Sequence, residues 1–305
     1  MSGDLSDRGA PEEFERASRL IGDIVKKFDL SAERCVIVPG NHDVDWETDV
    51  YRWKGRRPQD TRGLEPGTFI EQERSLGIRD EIGYPLRFKN FSECLYHPFT
   101  QKPYPPAFED QCVPFFFPDT GIQFIAFNSC WEIDEFFRKR ASVYPVALAR
   151  GLDLAQEQLG HAHQDGLFAT GRPILRIAVW HHAITGNEKI SDDAFLDHLM
   201  KAGVKLLLHG DVHEERADLF NYLDSNRQIH VIGAGAFGAA ADHRPESTPK
   251  HYHLIRINRD LSEVRIYTRC KRREGGGWEG WPFYPGPEPH IRHTHYDITV
   301  VPMLT

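Results

Sequence analysis

Four short stretches of this chain set polar, ligand-type side chains directly after apolar strands, and that arrangement limits the folds open to it. They are Gly3-Asp4-Leu5-Ser6-Asp7-Arg8-Gly9, Gly40-Asn41-His42-Asp43, His181-His182, and His209-Gly210-Asp211-Val212-His213. The apolar runs are Cys35–Pro39, Ile174–Trp180 and Val204–Leu208, which read as buried parallel strands because they are apolar on both faces. Strands of this kind alternating with helices define an α/β architecture. In open α/β sheets ligands bind at the carboxyl ends of the strands, so the four stretches should meet in one crevice. Their pooled side chains are carboxylate, amide and imidazole, with no thiolate. That donor set suits Mn, Fe, Zn, Ni or Mg.

The helices follow from local signals. Pro11 suits a first helical position, with Glu12 and Glu13 in the first turn and Phe14, Ala17, Ile21, Ile24 and Phe28 at helical spacing. A second helix is expected from a Ser191 cap through Phe195, Leu196, Leu199 and Ala202, closed by Gly203. Phe115–Phe117 and Ile122–Phe127 flank a Pro-Asp-Thr-Gly turn, and Tyr252–Ile257 and Val264–Tyr267 form a hairpin pattern. A final strand is expected at Tyr296–Val301. The aromatic, proline-rich stretch at about 46–118, with one short helix at Phe88–Leu95, reads as an insertion in a single 305-residue domain. A β-rich part follows at about 229–305.

The net charge of −8 argues against a general nucleic-acid coat or a polybasic membrane binder. No apolar run approaches the roughly 20 residues of a membrane-spanning helix. The N-terminal MSGDLSDRG lacks the pattern of a signal peptide, and five scattered cysteines without a C-x-x-C pair read as reduced thiols; the expectation is a cytoplasmic protein.

GDLSDRG, GNHD, the His pair and GDVH occur in the order, and close to the form, of the motifs of the calcineurin-like metallophosphoesterases, and the chain resembles that family from residue 3 to about 213. The resemblance implies a two-sheet α/β sandwich flanked by helices. It implies a metal-dependent phosphoesterase, by preference a phosphodiesterase, in which hydroxide on up to two divalent ions attacks phosphorus. Asp4 would bridge the ions, with Asn41, His181 (His182 as runner-up), Asp211 and His213 as further ligands. His42 would be the general acid, Asp7 would orient it, and Arg8 would grip phosphate oxygens.

The sequence departs from the family in two places. The opening Asp-x-His has no counterpart, since Met1 falls at the end of the family's second strand, and Asp211 replaces the first His of G-H-x-H. The second metal position (Asp4, Asn41, His181, Asp211) is therefore expected to be better preserved than the first, which keeps Asp4 and His213. The alternative is a catalytically impaired member acting as a nucleotide-binding sensor or an interaction module. The substrate class is a phosphate ester, with nucleotides among the candidates and nucleic acid not favoured. No membrane partner is expected, and the oligomeric state stays open.

Three further patterns carry two readings each. Arg52, Lys54, Arg56, Arg57 and Arg62 with Tyr51 and Trp53 form either a polyanion grip or, by preference, a solvated loop face. Gly233–Gly238 is a phosphate loop or, by preference, a close-packed strand end. His290, His293 and His295 bind metal or, by preference, lie in an exposed polar tail.

Overall fold

The computed structural model describes residues 1–57, 60–185, 189–212, 216–221, 227–239, 248–288 and 290–305. Three short strands come first: β1 (Tyr51–Gly55), β2 (Phe69–Glu71) and β3 (Ser75–Arg79) pair antiparallel in the order β1-β3-β2. The main sheet follows, from β4 (Cys112–Phe117), β5 (Ile122–Phe127), β6 (Pro173–Val179), β7 (Val204–His209), β8 (Arg216–Asn221) and β9 (Gln228–Gly233). Its order is β4-β5-β6-β7-β9-β8, with Met303–Leu304 paired antiparallel to the start of β6. Strands β5, β6, β7 and β9 run parallel, and β4 and β8 close the edges antiparallel. A second antiparallel sheet is built on β10 (Lys250–Ile257) and β11 (Glu263–Lys271), with Glu279–Gly280 and His295–Thr299 also pairing β11.

The two sheets face each other through Leu175, Ile177, Val179, Leu206 and Ile232 on one side and Val264, Ile266, Ile298 and Val300 on the other. The other face of the main sheet is covered by the helices Pro145–Gln164 and Phe195–Lys201. This is the expected two-sheet sandwich. The Pro145–Gln164 helix starts with Pro at its first turn and buries Ala147, Leu148, Gly151, Ala155, Leu159 and Ala162. Gly151 lets it approach β4 so closely that an added Cβ would overlap Cys112. The helix Pro11–Lys27 has Pro11, Glu12 and Glu13 in the expected first turn and buries Phe14 and Ile21. Among the described residues no helix is long and apolar enough to cross a membrane.

Three local expectations are corrected. Cys35–Pro39 is buried as anticipated but is not a regular strand: its pairing is an isolated parallel bridge, Ser2 with Val38, and no ladder of consecutive pairs runs along it. The helix after Ser191 begins only at Phe195, and its flanking residue Ala194 is anchored by Asp192 Oδ1, which accepts the Ala194 N–H at 3.0 Å. The short helix at Phe88–Leu95 is part of a longer succession of tight, regular and wide turns from Tyr84 to Thr100, ended by Gln101 in the left-handed region. Aromatic packing of Phe14, Phe91, Tyr96 and Tyr104 holds that irregular segment to the first helix.

The basic cluster takes its expected form of a solvated face. Arg52 pairs Asp80 at 2.9 Å, Lys54 pairs Asp60 at 3.9 Å and Arg56 pairs Glu71 at 3.3 Å, so each of these cations meets an acid on its own sheet or turn. Gly233–Gly238 also follows the bland reading. Ala234 N–H donates to the His209 carbonyl, and Gly235 lies so near His251 that a Cβ would stand 2.6 Å from its Nδ1.

Candidate metal centre

The loop carrying Asp4 is fastened to the loop carrying Asn41 and His42 by one carboxylate. Asp43, fully buried, accepts from Leu5 N–H (2.8 Å), Ser6 N–H (2.9 Å), the Ser6 hydroxyl (2.9 Å) and Gly40 N–H (2.9 Å). Asp4 stands in the left-handed region at φ 54°, which Asp and Asn tolerate better than other side chains. Its Oδ1 accepts the His42 N–H at 3.1 Å. An added Cβ on Gly40 would overlap Asp4, so only glycine allows this approach of the two loops.

The carboxyl ends of β6 and β7 bring the other groups. His181 follows β6, and its Nδ1–H donates to the Ser2 carbonyl at 2.6 Å. A carbonyl can only accept, so Nδ1 carries a proton and Nε2 is the ring atom turned toward the carboxylates. Nε2 lies 3.2 Å from Asp4 Oδ2 and 3.6 Å from Asp211 Oδ1. Asp211, at φ 60°, comes two residues after β7 ends. Among the described residues Asn41 Oδ1 is a buried acceptor with no hydrogen-bond partner, and His181 Nε2, buried too, faces only the two carboxylates. A cation beside Asp4, His181 and Asp211 would take the place of a proton on Nε2, and an unpaired amide oxygen in the interior is a donor suited to the same ion. His182 also belongs to this neighbourhood: one ligand atom each of His181, His182 and Asp211 lie within 4.8 Å of one another.

The structure thus brings Asp4, His181 and Asp211 together, with the His42 backbone N–H on Asp4 and Asn41 next to it in the chain. His213 lies outside the described residues. Asp7 adjoins His42 as expected, but the group that orients the ring is its backbone. His42 Nδ1–H donates to the Asp7 carbonyl at 2.8 Å, and the Asp7 carboxylate is 3.6 Å away. Arg8 is at the rim, its side chain 82% exposed and 3.7 Å from Asp7. Three supports were not foreseen in the sequence: the Asp43 staple, the Ser2 carbonyl, and Ser129, whose hydroxyl meets His182 Nδ1 at 2.9 Å.

Electrostatics in the metal-free chain set a proton where a cation would sit. Burial by itself depresses His181, but Asp4, with Asp211 and the Ser2 carbonyl, outweighs it and raises the imidazole to about 9. Burial likewise opposes ionisation of Asp4, yet His181 and the His42 N–H hold it down to about 2. Burial, then the neighbouring His181, lowers His182 to about 3, which keeps it neutral. The stabilisation from His181 is complete below its ordinary value of 6.5 and is lost as pH rises through about 9. That from Asp4 is present above its ordinary 3.8 and is lost as pH falls through about 2. A divalent ion must displace the His181 Nε2 proton, so uptake at neutral pH should release about one proton. Calorimetric metal titrations in two buffers of different ionisation enthalpy read this directly, and identical heats in both would exclude His181 as a ligand.

The comparisons with known proteins agree with this geometry in family. Residues 1–215 match the calcineurin-like phosphoesterase family. No curated protein matches. Among solved structures, a single mutant of Vps29 from Entamoeba histolytica is 19% identical over 31% of this chain and 47% of its own, with a TM-score of 0.22. A Staphylococcus aureus protein provisionally assigned as a 5'-nucleotidase, solved with alpha-ketoglutarate, is 9% identical over 63% of this chain and 29% of its own, with a TM-score of 0.25. This chain therefore spans less than half the length of either. With a family match over more than two thirds of its residues, the chain belongs to the calcineurin-like phosphoesterases, a family of divalent-metal-dependent hydrolases of phosphoric esters.

Proposed function

We propose that this chain is a metal-dependent phosphodiesterase whose centre is built from Asp4, Asn41, His181 and Asp211, with His213 as a further ligand. The observation that carries this reading is His181 Nε2, buried between the Asp4 and Asp211 carboxylates at 3.2 and 3.6 Å, with Asn41 Oδ1 a buried acceptor that has no hydrogen-bond partner among the described residues. Divalent ions held there would neutralise charge on the phosphate oxygens and make water more acidic. The N/O donor set suits Mn, Fe, Zn, Ni or Mg.

The chain's own residues supply orientation and a proton. His42 keeps Nδ1–H on the Asp7 carbonyl, so it acts as an acid in its imidazolium form, with Nε2–H giving its proton to the leaving oxygen and the ring left neutral with Nδ1–H still on the carbonyl. Arg8, exposed on the rim, would close on the phosphate when substrate arrives. The five free cysteines support a cytoplasmic setting, and the whole chain is read as one catalytic unit with the segment at about 46–118 inserted.

The test is metal content together with turnover of bis-p-nitrophenyl phosphate in Mn²⁺, with and without EDTA. Turnover should require the ion. His42→Ala should retain the metal and lose roughly 10²–10⁴-fold in kcat on diesters with poor alkoxide leaving groups. The loss should be much smaller for p-nitrophenolate, which leaves without a proton. Equal losses on both substrates would remove His42 from the acid role. No turnover in any metal would favour the sensor or interaction-module reading.

A further inference from the structure

The carboxyl end of β9 opens onto an aromatic surface that none of the phosphate chemistry uses. Gly233 pairs with His209 at the end of β7, and Asp211 follows two residues later. Four residues beyond Gly233 stands Phe237, so its backbone lies at most about 14 Å from that strand end. Phe237 is 47% exposed. One of its faces lies against Trp278, with ring centroids 5.3 Å apart and planes 7° from parallel. Tyr252 packs edge-on to both rings, at 6.1 Å from Phe237 and 4.7 Å from Trp278. The surface is fixed from below: His251 N–H donates to the Ala236 carbonyl at 3.0 Å, and the Trp281 ring packs on His251 at 4.7 Å.

We propose that Phe237, backed by Trp278 and Tyr252, is a stacking platform for a planar heteroaromatic ring, so that the phosphate ester this centre takes is of the nucleotide type. The inference rests on the phosphoesterase reading for the phosphate end. Several features favour a base over an apolar protein segment. Among the described residues Phe237 stacks on one ring, Trp278, and keeps nearly half of its surface exposed, which leaves area for a second planar ring. Stacking on aromatic rings is indifferent to base identity and strong for all of them. The edge also carries an excess of cations, in a chain of net charge −8: Arg269 and Lys271 end β11, Arg272 and Arg273 follow it, and against them stand Glu274, paired with Lys250, and Glu279; the Arg272 guanidinium lies 5.3 Å over the Trp281 ring. Arg272 is ion-paired with Glu279 at 2.7 Å, which holds it at this edge. An anionic, planar ligand matches both properties; an apolar peptide matches one.

The experiment compares adenosine 5′-monophosphate with ribose 5-phosphate on the full chain as purified, by calorimetry and by tryptophan fluorescence. The two share the phosphate and sugar and differ in the base. The nucleotide should bind on the order of tenfold tighter and quench tryptophan emission. Phe237→Leu keeps an apolar side chain at an exposed position and should bring the two affinities within about twofold of each other, whereas Phe237→Trp should preserve the gap. Equal affinities for the two ligands in the unaltered protein, or a gap that survives Phe237→Leu, overturn the platform. Turnover of bis-p-nitrophenyl phosphate separates the two readings. Metal-dependent turnover with no base preference leaves the catalytic reading and removes the platform. Base preference without turnover does the reverse.

Discussion

Asp4→Asn should abolish metal binding and lower kcat/KM on bis-p-nitrophenyl phosphate by at least about 100-fold, a loss of roughly 2.7 kcal/mol of transition-state stabilisation. The substitution is chosen for what it leaves alone. Asp4 sits at φ 54°, and Asn is among the few residues that adopt this conformation readily, so the turn survives. The side-chain oxygen can still accept the His42 N–H. Only the charge facing His181 is removed. The variant should therefore fold, with far-UV circular dichroism unchanged, while elemental analysis finds the metal gone. His181 would also lose the main influence that raises it, and its imidazole should titrate nearer its ordinary value. Retention of both metal and turnover would place the ligand set elsewhere.

The centre was legible in the sequence where side chains carry the chemistry, and hidden where the backbone does. Asn41, His42 and Asp43 stand out because a polar triplet directly behind a buried apolar run has few structural reasons to exist. The Ser2 carbonyl, which fixes the His181 tautomer, has no residue signature at all. Nor does the Asp7 carbonyl, and that is why the oriented ring was foreseen correctly while the orienting atom was not. Asp43 was visible as part of a motif, but its four donors come from two loops that only the fold brings together.

The same division runs through the fold. Strands β6 and β7 are buried on both faces and show as nearly continuous apolar runs, whereas β5 alternates loosely around Gln123. The edge strand β8 alternates between half-buried and exposed residues and has no such run. The Pro145–Gln164 helix has an inward face built largely of small residues, Ala147, Gly151, Ala155 and Ala162, so its periodicity is faint although its packing on β4 is close. The strands β1–β3 lie within the insertion and carry little strand signal, because β1 buries only Tyr51 and turns its cations outward. Those cations look like a ligand-binding patch until their acidic partners appear from β2, the turn after β1 and the turn after β3.

The largest effect on stability should come from a residue with no part in the chemistry. Arg87→Ala should lower unfolding stability by about 3–5 kcal/mol and the melting temperature by roughly 10 °C. Arg87 is buried, and its guanidinium donates to three carbonyls: Tyr84 at 2.8 Å, Trp131 at 2.9 Å, and Ile133. It also lies over the Tyr84 ring at 3.5 Å. Beside it Asp134, equally buried, accepts from Tyr51 and Tyr84 hydroxyls at 2.7 and 2.9 Å and from Phe136 and Phe137 N–H, both at 2.9 Å. Together they tie β1 and the Tyr84–Phe88 turn to the segment after β5. Alanine would strand three carbonyls and remove a buried cation that interacts with Asp134, and a buried charge stripped of its partner is among the costliest single changes. The consequence for the centre is indirect. The Arg87 carbonyl accepts the Asp45 N–H at 3.0 Å, two residues beyond Asp43. Urea unfolding at low temperature should show the loss of stability while metal stoichiometry stays intact. Pairing Arg87→Ala with Asp134→Asn should cost less than the sum of the single changes, because the second removes the charge that the first leaves exposed to its apolar surroundings. A single variant within about 1 kcal/mol of the unaltered chain would mean that water satisfies the three carbonyls in place of the guanidinium.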